Sequence, residues 1–196
     1  KGESADRISC LSYPTETVEV VVPGGRHLNR KECDVKILYI DMDNTLVDFG
    51  AKLDGIDQKL REEYRGREDE LPGLFALMPP MAGALDAFAE LSTIFDTYIL
   101  STAPWKNPSA WQHKVEWVHL HLGIDEGTPA YKRLILSHHK NLNKGDFLVD
   151  DRPTKRGAAD FEGEVIAFGS DDFPDWPTVT AYLRGKASAT QRPNHP

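Results

Sequence analysis

Short apolar segments alternate with helical patterns along the middle of this chain, and this alternation constrains its fold more than any other feature. The segments lie at 35–40, 97–100, 133–136, 146–149 and 165–168. Helical patterns, with apolar residues at three- and four-residue spacing, cover 81–91, 109–122 and 177–183, and Gly123 is placed to end the second. Strands that alternate with helices form parallel sheets covered by helices. The sequence therefore predicts a three-layer α/β fold.

The pattern also divides the chain into three regions. Residues 35–183 form the predicted core. Residues 1–34 are polar and rich in turn residues, and we interpret them as an N-terminal extension. Residues 184–196 lack periodicity and are predicted to be a flexible tail.

Composition excludes several classes of protein. Hydrophobic residues make up 40% of the 196 residues, which is enough for a core, but no apolar run approaches the roughly 20 residues of a membrane span. The net charge of −8 argues against binding to a nucleic acid polymer or a membrane surface. Two cysteines and a polar start without an apolar signal region favour a cytoplasmic location. Oligomeric state is left open, with a homodimer as one option.

The first apolar segment ends in two closely spaced carboxylates, Asp41 and Asp43. Side chains alternate along an extended backbone, so these two point the same way. Like charges this close require a cation between them or a proton on one. An acidic turn that merely ends a strand is the competing interpretation.

A second carboxylate pair, Asp150 and Asp151, directly follows the fourth apolar segment. Ligands of parallel sheets bind at the carboxyl ends of the strands, so both acidic clusters are expected in one crevice. Oxygen ligands of this kind suit a hard divalent cation, and Mg²⁺ is the predicted cofactor.

Hydroxyl and ammonium groups are also expected at the carboxyl ends of these strands. Ser101 and Thr102 end the second segment, and Lys140 and Lys144 lie shortly before the fourth. Carboxylates, a hydroxyl and an ammonium around a metal ion bind and transfer a phosphoryl group.

These residues resemble a known family. Asp41-Met42-Asp43-Asn44-Thr45-Leu46-Val47-Asp48 looks like the first motif of the haloacid dehalogenase (HAD) superfamily of phosphatases, and the other three motifs follow in order at Ser101/Thr102, Lys140 and Asp150-Asp151. The chain is more closely similar to the 5'(3')-deoxyribonucleotidase family. The segments that carry this similarity lie at 41–49, 100–104, 117–123 and 136–152.

The resemblance implies a Rossmann-like HAD core with a short helical cap inserted at about 50–79, and it implies roles for the acidic residues. Asp41 would be the nucleophile that forms an aspartyl phosphate. Asp43 would be the general acid and then the general base. The carboxylates of Asp41 and Asp151, with the backbone carbonyl of Asp43, would bind Mg²⁺, and Asp150 would lie next to that shell.

The resemblance also implies how substrate is held. Thr102, two residues before Pro104, would bind a phosphate oxygen, with Ser101 as the alternative. Lys140 matches the motif lysine by its distance from the acidic pair, whereas Lys144 is interpreted as a surface residue. Phe49 and Phe75 match aromatic positions near the nucleotide base, although packing of the cap against the core explains them equally well.

This chain departs from the family pattern at three places. Asn44 stands where the superfamily often has glycine, and asparagine tolerates the positive φ of a tight turn. Ala103 replaces a serine that could donate to phosphate. The insertion at 50–79 is shorter than the cap of the animal enzymes, which leaves the substrate open.

The predicted function is a Mg²⁺-dependent phosphatase that hydrolyses a small phosphate monoester, with (deoxy)nucleoside monophosphates as the favoured substrates. One alternative is a HAD phosphatase or phosphotransferase for another phosphometabolite. An alternative of a different class is a non-enzymatic phospho-acceptor, or a scaffold domain without activity. The order of the acidic motifs disfavours the phospho-acceptor, because in receiver domains the acidic pair comes before the single acceptor aspartate.

Overall fold

The computed structural model describes residues 35–76 and 78–189. The described residues all belong to one compact unit, which begins at Val35. The predicted extension at 1–34 and the last seven residues of the predicted tail lie outside the described residues.

A five-stranded parallel sheet forms the centre of this unit. Its strands are listed here in chain order: β1 (Ile37–Ile40), β2 (Asp96–Ser101), β3 (Leu134–Leu136), β4 (Phe147–Asp150) and β5 (Glu164–Ala167). Their spatial order is β3-β2-β1-β4-β5, and every neighbouring pair is parallel. The five predicted strands are therefore confirmed, each to within two residues at either end. The order places β1 and β4 side by side, which determines where their acidic ends meet.

Helices cover the sheet unequally on its two faces. The three long helices are α3 (Ala84–Leu91), α4 (Pro108–Leu122) and α5 (Trp176–Ala189). All three pack on the main core cluster, together with the sheet face that carries Leu38, Ile40 and Ile99. The opposite face packs against Ala158 and Phe161, at a short 3-10 helix that follows β4. The predicted three-layer α/β fold is confirmed, with one thick and one thin outer layer.

The segment at 50–79 contains short helices that face solvent. Helices α1 (Phe49–Asp54) and α2 (Gln58–Glu63) have no buried residue, and a 3-10 helix follows at Glu68–Glu70. Buried apolar side chains further along, including Leu71 and Leu74, attach the segment to the main core. The fully buried contacts of the segment come from its second half, which returns to the sheet just before α3, while Phe49 and Leu53 of α1 are partly buried against the same core.

Helix α5 continues beyond the predicted end at residue 183. It runs to Ala189, so residues 184–189 belong to a helix rather than to a flexible tail. Lys186 Nζ lies 2.8 Å from Glu164 Oε2 on β5, and Ala187 packs against the core. These tertiary contacts extend the helix where the sequence shows no periodicity. Among the described residues, no helix combines the length and apolar character that a membrane crossing requires.

Candidate active site

Three carboxylates from two adjacent strands converge at one edge of the sheet. Asp41 directly follows β1, Asp150 ends β4, and Asp151 is the next residue. The backbone N–H of Asp41 donates to Val149 O at 2.8 Å, which continues the pairing of the two strands. One oxygen of each carboxylate lies within 4.8 Å of one oxygen of each of the other two. The cluster is therefore a candidate site for a divalent cation.

A buried lysine partly neutralises this cluster. Lys140 Nζ lies 3.0 Å from Asp41 Oδ1 and 2.6 Å from Asp150 Oδ2, and the lysine side chain is 2% exposed. Burial alone would lower its pKa, but the Asp41 and Asp150 carboxylates raise the pKa of Lys140 above the ordinary value. Lys140 is thus a permanent ammonium beside the candidate metal site. Lys144, by contrast, is exposed.

Burial and the clustered charges also shift the pKa values of the carboxylates. Burial and the neighbouring Asp41 charge raise the pKa of Asp150, although its ion pair with Lys140 opposes this. The pKa of Asp151 is raised to about 6 by burial and by Asp41, against a hydrogen bond from Asn44. Asn44 Nδ2 donates to Asp151 Oδ2 at 3.1 Å. Asn44 has a φ of 54°, so it adopts the left-handed turn that the sequence predicted for it.

Asp43 has a different environment from Asp41. Its Oδ1 accepts a hydrogen bond from Lys114 Nζ at 2.6 Å, and its carboxylate is not part of the three-carboxylate cluster. Burial raises the pKa of Asp43, while the Lys114 ammonium opposes the shift. The Asp43 side chain is 27% exposed and lines the cleft. The two aspartates of the first motif are therefore paired with separate lysines, which permits separate roles.

The two candidate hydroxyl residues, Thr102 and Ser101, have different environments in the structure. Thr102 lines the cleft, and its Oγ1 donates to Ser137 O at 2.8 Å. Ser101 is fully buried, and its Oγ accepts from Lys114 Nζ at 3.1 Å. Thr102 is thus the hydroxyl that a ligand in the cleft can reach.

A cleft of about 230 Å³ opens over the cluster. Phe49 and Phe75 both line it, with their ring centroids 5.7 Å apart. Phe75 is buried in the main core and Phe49 is half-buried against it. The aromatic pair therefore packs the inserted segment against the core and also presents an apolar surface to the cleft.

Charged residues of both signs complete the lining. The loop after β4 contributes three cations, Arg152, Lys155 and Arg156, whereas the inserted segment contributes Glu68 and Asp69. The cations lie immediately beyond the acidic pair in the chain. They can neutralise an anionic ligand that extends past the carboxylate cluster.

Sequence reasoning missed Lys114. It lies on the long helix α4, whereas Asp41, Asp43 and Asp150 lie at strand ends or directly after them, and its side chain is 1% exposed. The available signal was its position on the buried face of α4, four residues after Ala110 and three before Trp117. A lysine at such a position requires a buried partner.

A parallel α/β sheet with carboxylates, an ammonium and a hydroxyl at the carboxyl ends of its strands has the groups of a phosphoryl-transfer protein. Comparison with known proteins identifies the family within that class. The family model described as 5' nucleotidase, deoxy (pyrimidine), cytosolic type C matches residues 64–173. The chain belongs to this family of 5'(3')-deoxyribonucleotidases, which are phosphoric monoester hydrolases.

Individual relatives with known names belong to the same family. A candidate 5'(3')-deoxyribonucleotidase of Vibrio phage KVP40 is 56% identical over 153 residues, which cover 78% of this chain and 87% of the relative. The human 5'(3')-deoxyribonucleotidase, cytosolic type, is 33% identical over 63% of this chain and 73% of the relative. Among solved structures, a haloacid dehalogenase-like hydrolase from Xanthomonas campestris matches this chain. The match covers 81% of this chain and 99% of that hydrolase. The TM-score of this match is 0.49, and the two sequences are 11% identical.

Proposed function

We propose that this protein is a Mg²⁺-dependent phosphatase that hydrolyses deoxynucleoside monophosphates through an aspartyl phosphate. The observation that carries the proposal is the convergence of Asp41, Asp150 and Asp151, with Lys140 bound to two of them. Membership of the deoxyribonucleotidase family supports the substrate class. A cytoplasmic location and a homodimer stay predictions.

The donor set fits Mg²⁺. Three carboxylate oxygens within 4.8 Å of one another are hard ligands for a small divalent ion. Asp41 and Asp151, with the backbone carbonyl of Asp43, would hold the ion, and Asp150 would support them. When bound, the ion supplies positive charge that offsets the negative charge of the phosphoryl group.

The residues of the chain divide the reaction into two displacements. A carboxylate oxygen of Asp41 forms a bond to phosphorus while the ester P–O bond breaks, and Asp43 donates its proton to the departing oxygen. A water molecule then attacks phosphorus, gives its proton to Asp43, and releases inorganic phosphate from Asp41. Lys140 and the Thr102 hydroxyl, which would turn its proton from Ser137 O to the ligand, hold phosphate oxygens during both steps. Each cycle thus ends with Asp41 free and Asp43 protonated again.

The size of the rate acceleration shows why the reaction needs so many groups. Hydrolysis of a phosphate monoester can require up to ~10²¹-fold acceleration, which is about 29 kcal/mol. General acid–base catalysis supplies ~10²–10⁴-fold of it. Positioning, electrostatic stabilisation and the covalent route must supply the remainder.

Substitution of the nucleophile tests the mechanism. Asp41→Asn keeps the size of the side chain but removes its nucleophilic charge, so turnover should fall by at least ~10⁴-fold while the fold is retained. The measurement is phosphate release with Mg²⁺ from a panel of 5'- and 3'-nucleotides and sugar phosphates, with circular dichroism for the fold. Asp171→Asn, an exposed acidic site outside the cleft, is the matched control and should keep full activity.

Three outcomes of this experiment would contradict different parts of the proposal. Retained activity in Asp41→Asn would refute the nucleophile assignment. Release from sugar phosphates but not from nucleotides would refute the substrate class and leave the phosphatase chemistry intact. An aspartyl phosphate that forms and persists without turnover would identify a phospho-acceptor instead.

A further inference from the structure

Lys114 is a buried cation whose contacts converge on the predicted acid–base residue. Its Nζ lies 2.6 Å from Asp43 Oδ1 and 3.1 Å from Ser101 Oγ. It also lies 4.9 Å from the ring centroid of Phe75, in the inserted segment. One ammonium therefore connects the first motif, the end of β2 and the insertion.

Stability alone does not explain a lysine at this position. Removing an ammonium from water is costly, and an ion pair with a carboxylate commonly does no more than offset the cost. A methionine or leucine would fill the same face of α4 beside Ala110 and Trp117 without that penalty. The side chain is therefore better explained by what it does to Asp43.

The contact with Lys114 makes the two oxygens of Asp43 unequal. Oδ1 is held by the ammonium, whereas Oδ2 has no hydrogen-bond partner within the part of the chain that the structure describes. The carboxylate as a whole lines the cleft. A carboxyl group held at one oxygen presents its other oxygen in a defined direction, which proton transfer requires.

We propose that Lys114 is a positioning residue for proton transfer: it holds Oδ1 of Asp43 so that Oδ2 carries the proton to the leaving oxygen and later receives one from water. This inference rests on the proposed function, in which Asp43 is the general acid and base. Lys114 does not contact the substrate in this scheme. Its effect should depend on how much the leaving group needs a proton.

The test compares two substrates on the same enzyme. A deoxynucleoside monophosphate releases an alkoxide that must be protonated, whereas p-nitrophenyl phosphate releases a phenolate that departs without a proton. The quantity compared is kcat/KM, which reports only the steps up to loss of the leaving group. In Lys114→Met, kcat/KM should fall about 10²-fold for the nucleotide and less than about fivefold for p-nitrophenyl phosphate.

Two further variants test whether the effect of Lys114→Met comes from lost positioning of Asp43 rather than from misfolding or from the loss of a charge. Lys114→Gln keeps an N–H donor and should give a ratio of the two kcat/KM values between those of wild type and Lys114→Met. Lys144→Met removes an exposed lysine by the same substitution and should leave the ratio unchanged. Because both substrates are measured on one preparation, partial misfolding lowers both rates and cancels in the ratio. A burst of p-nitrophenol in Lys114→Met would further support the proposal, since it shows that the water step has become slow.

Two outcomes would overturn the proposal. Equal losses on both substrates would mean that Lys114 has a structural role, and an unchanged nucleotide rate would mean that Asp43 needs no positioning. Neither outcome affects the proposed function, which fails if wild type hydrolyses no deoxynucleoside monophosphate or if Asp41→Asn remains active.

Discussion

A single glycine controls how closely the loop after β4 approaches Lys140. Gly157 has a φ of +81°, and a Cβ built there would lie 2.3 Å from Asn141 Oδ1 and 3.1 Å from Lys140 N. The same backbone N–H of Lys140 donates to Arg156 O at 2.9 Å. A side chain at this position would displace the turn that aims Lys140 at Asp41.

Gly157→Ala should therefore reduce both activity and stability. The positive φ costs an alanine about 1–2 kcal/mol, and the close contact with backbone and side chain adds to that cost. Because Lys140 is displaced, kcat should fall about tenfold or more. The measurements are urea unfolding and steady-state kinetics.

Gly169→Ala is the matched control, because Gly169 has the same φ of +81° but, apart from its chain neighbours, no atom of the described residues within 4 Å of the added Cβ. It should lose stability through the backbone alone and keep its kcat. Equal effects on kcat in the two variants would show that the contact with the lysine turn is unimportant.

At the scale of elements, one buried asparagine joins the inserted segment to α4. Asn107 Nδ2 donates to the carbonyl oxygens of Asp69 and Leu71, each at 3.0 Å, and its Oδ1 accepts from Ser109 Oγ at 2.6 Å. Asp69 lines the cleft. The asparagine thus holds one wall of the cleft against the helix that carries Lys114.

Asn107→Ala should destabilise the protein by about 1–3 kcal/mol, because two backbone carbonyls lose their donor. KM for the nucleotide should rise, since the wall near Asp69 is no longer held in place. Denaturant unfolding and steady-state kinetics measure the two effects. Ser109→Ala, which leaves both carbonyl contacts intact, should cost less than about 1 kcal/mol. If Ser109→Ala cost as much as Asn107→Ala, the carbonyl contacts would not be the cause.

Elements differ in how well the sequence predicted them. The strands were predicted well because the central strands of a parallel sheet are buried on both faces, which produces continuous apolar runs such as 147–149. The end of α5 was predicted six residues too early. Its last turns are stabilised by contacts to β5 and the core, such as Lys186 with Glu164, and such contacts leave no periodic pattern in the chain.

At the scale of the whole molecule, a divalent ion should contribute to folding as well as to catalysis. The chain has a net charge of −8, and three of its carboxylates are held together at one sheet edge. An ion that binds only the folded state stabilises it by about 2.7 kcal/mol at a hundred times its dissociation constant.

Mg²⁺ should therefore raise Tm by roughly 5–10 °C at saturating concentration. In Asp151→Asn the shift should be largely lost, although this variant should be at least as stable as wild type without Mg²⁺ because one clustered charge is gone. Thermal scans with MgCl₂, against NaCl of equal ionic strength, provide the measurement. Asp171→Asn should retain the full shift. A shift that persisted in Asp151→Asn would place the ion elsewhere.

The sequence alone determined the α/β class, the five strands and the acidic, hydroxyl and lysine motifs at their ends, because local patterns of burial and spacing encode these features. Only the tertiary structure decided which groups face each other. It placed Asp41 beside Lys140 and Asp43 beside Lys114, and it turned Thr102 rather than Ser101 toward the cleft. Those pairings join residues up to 99 positions apart, as with Asp41 and Lys140, and they depend on strand order and helix packing that no local pattern specifies.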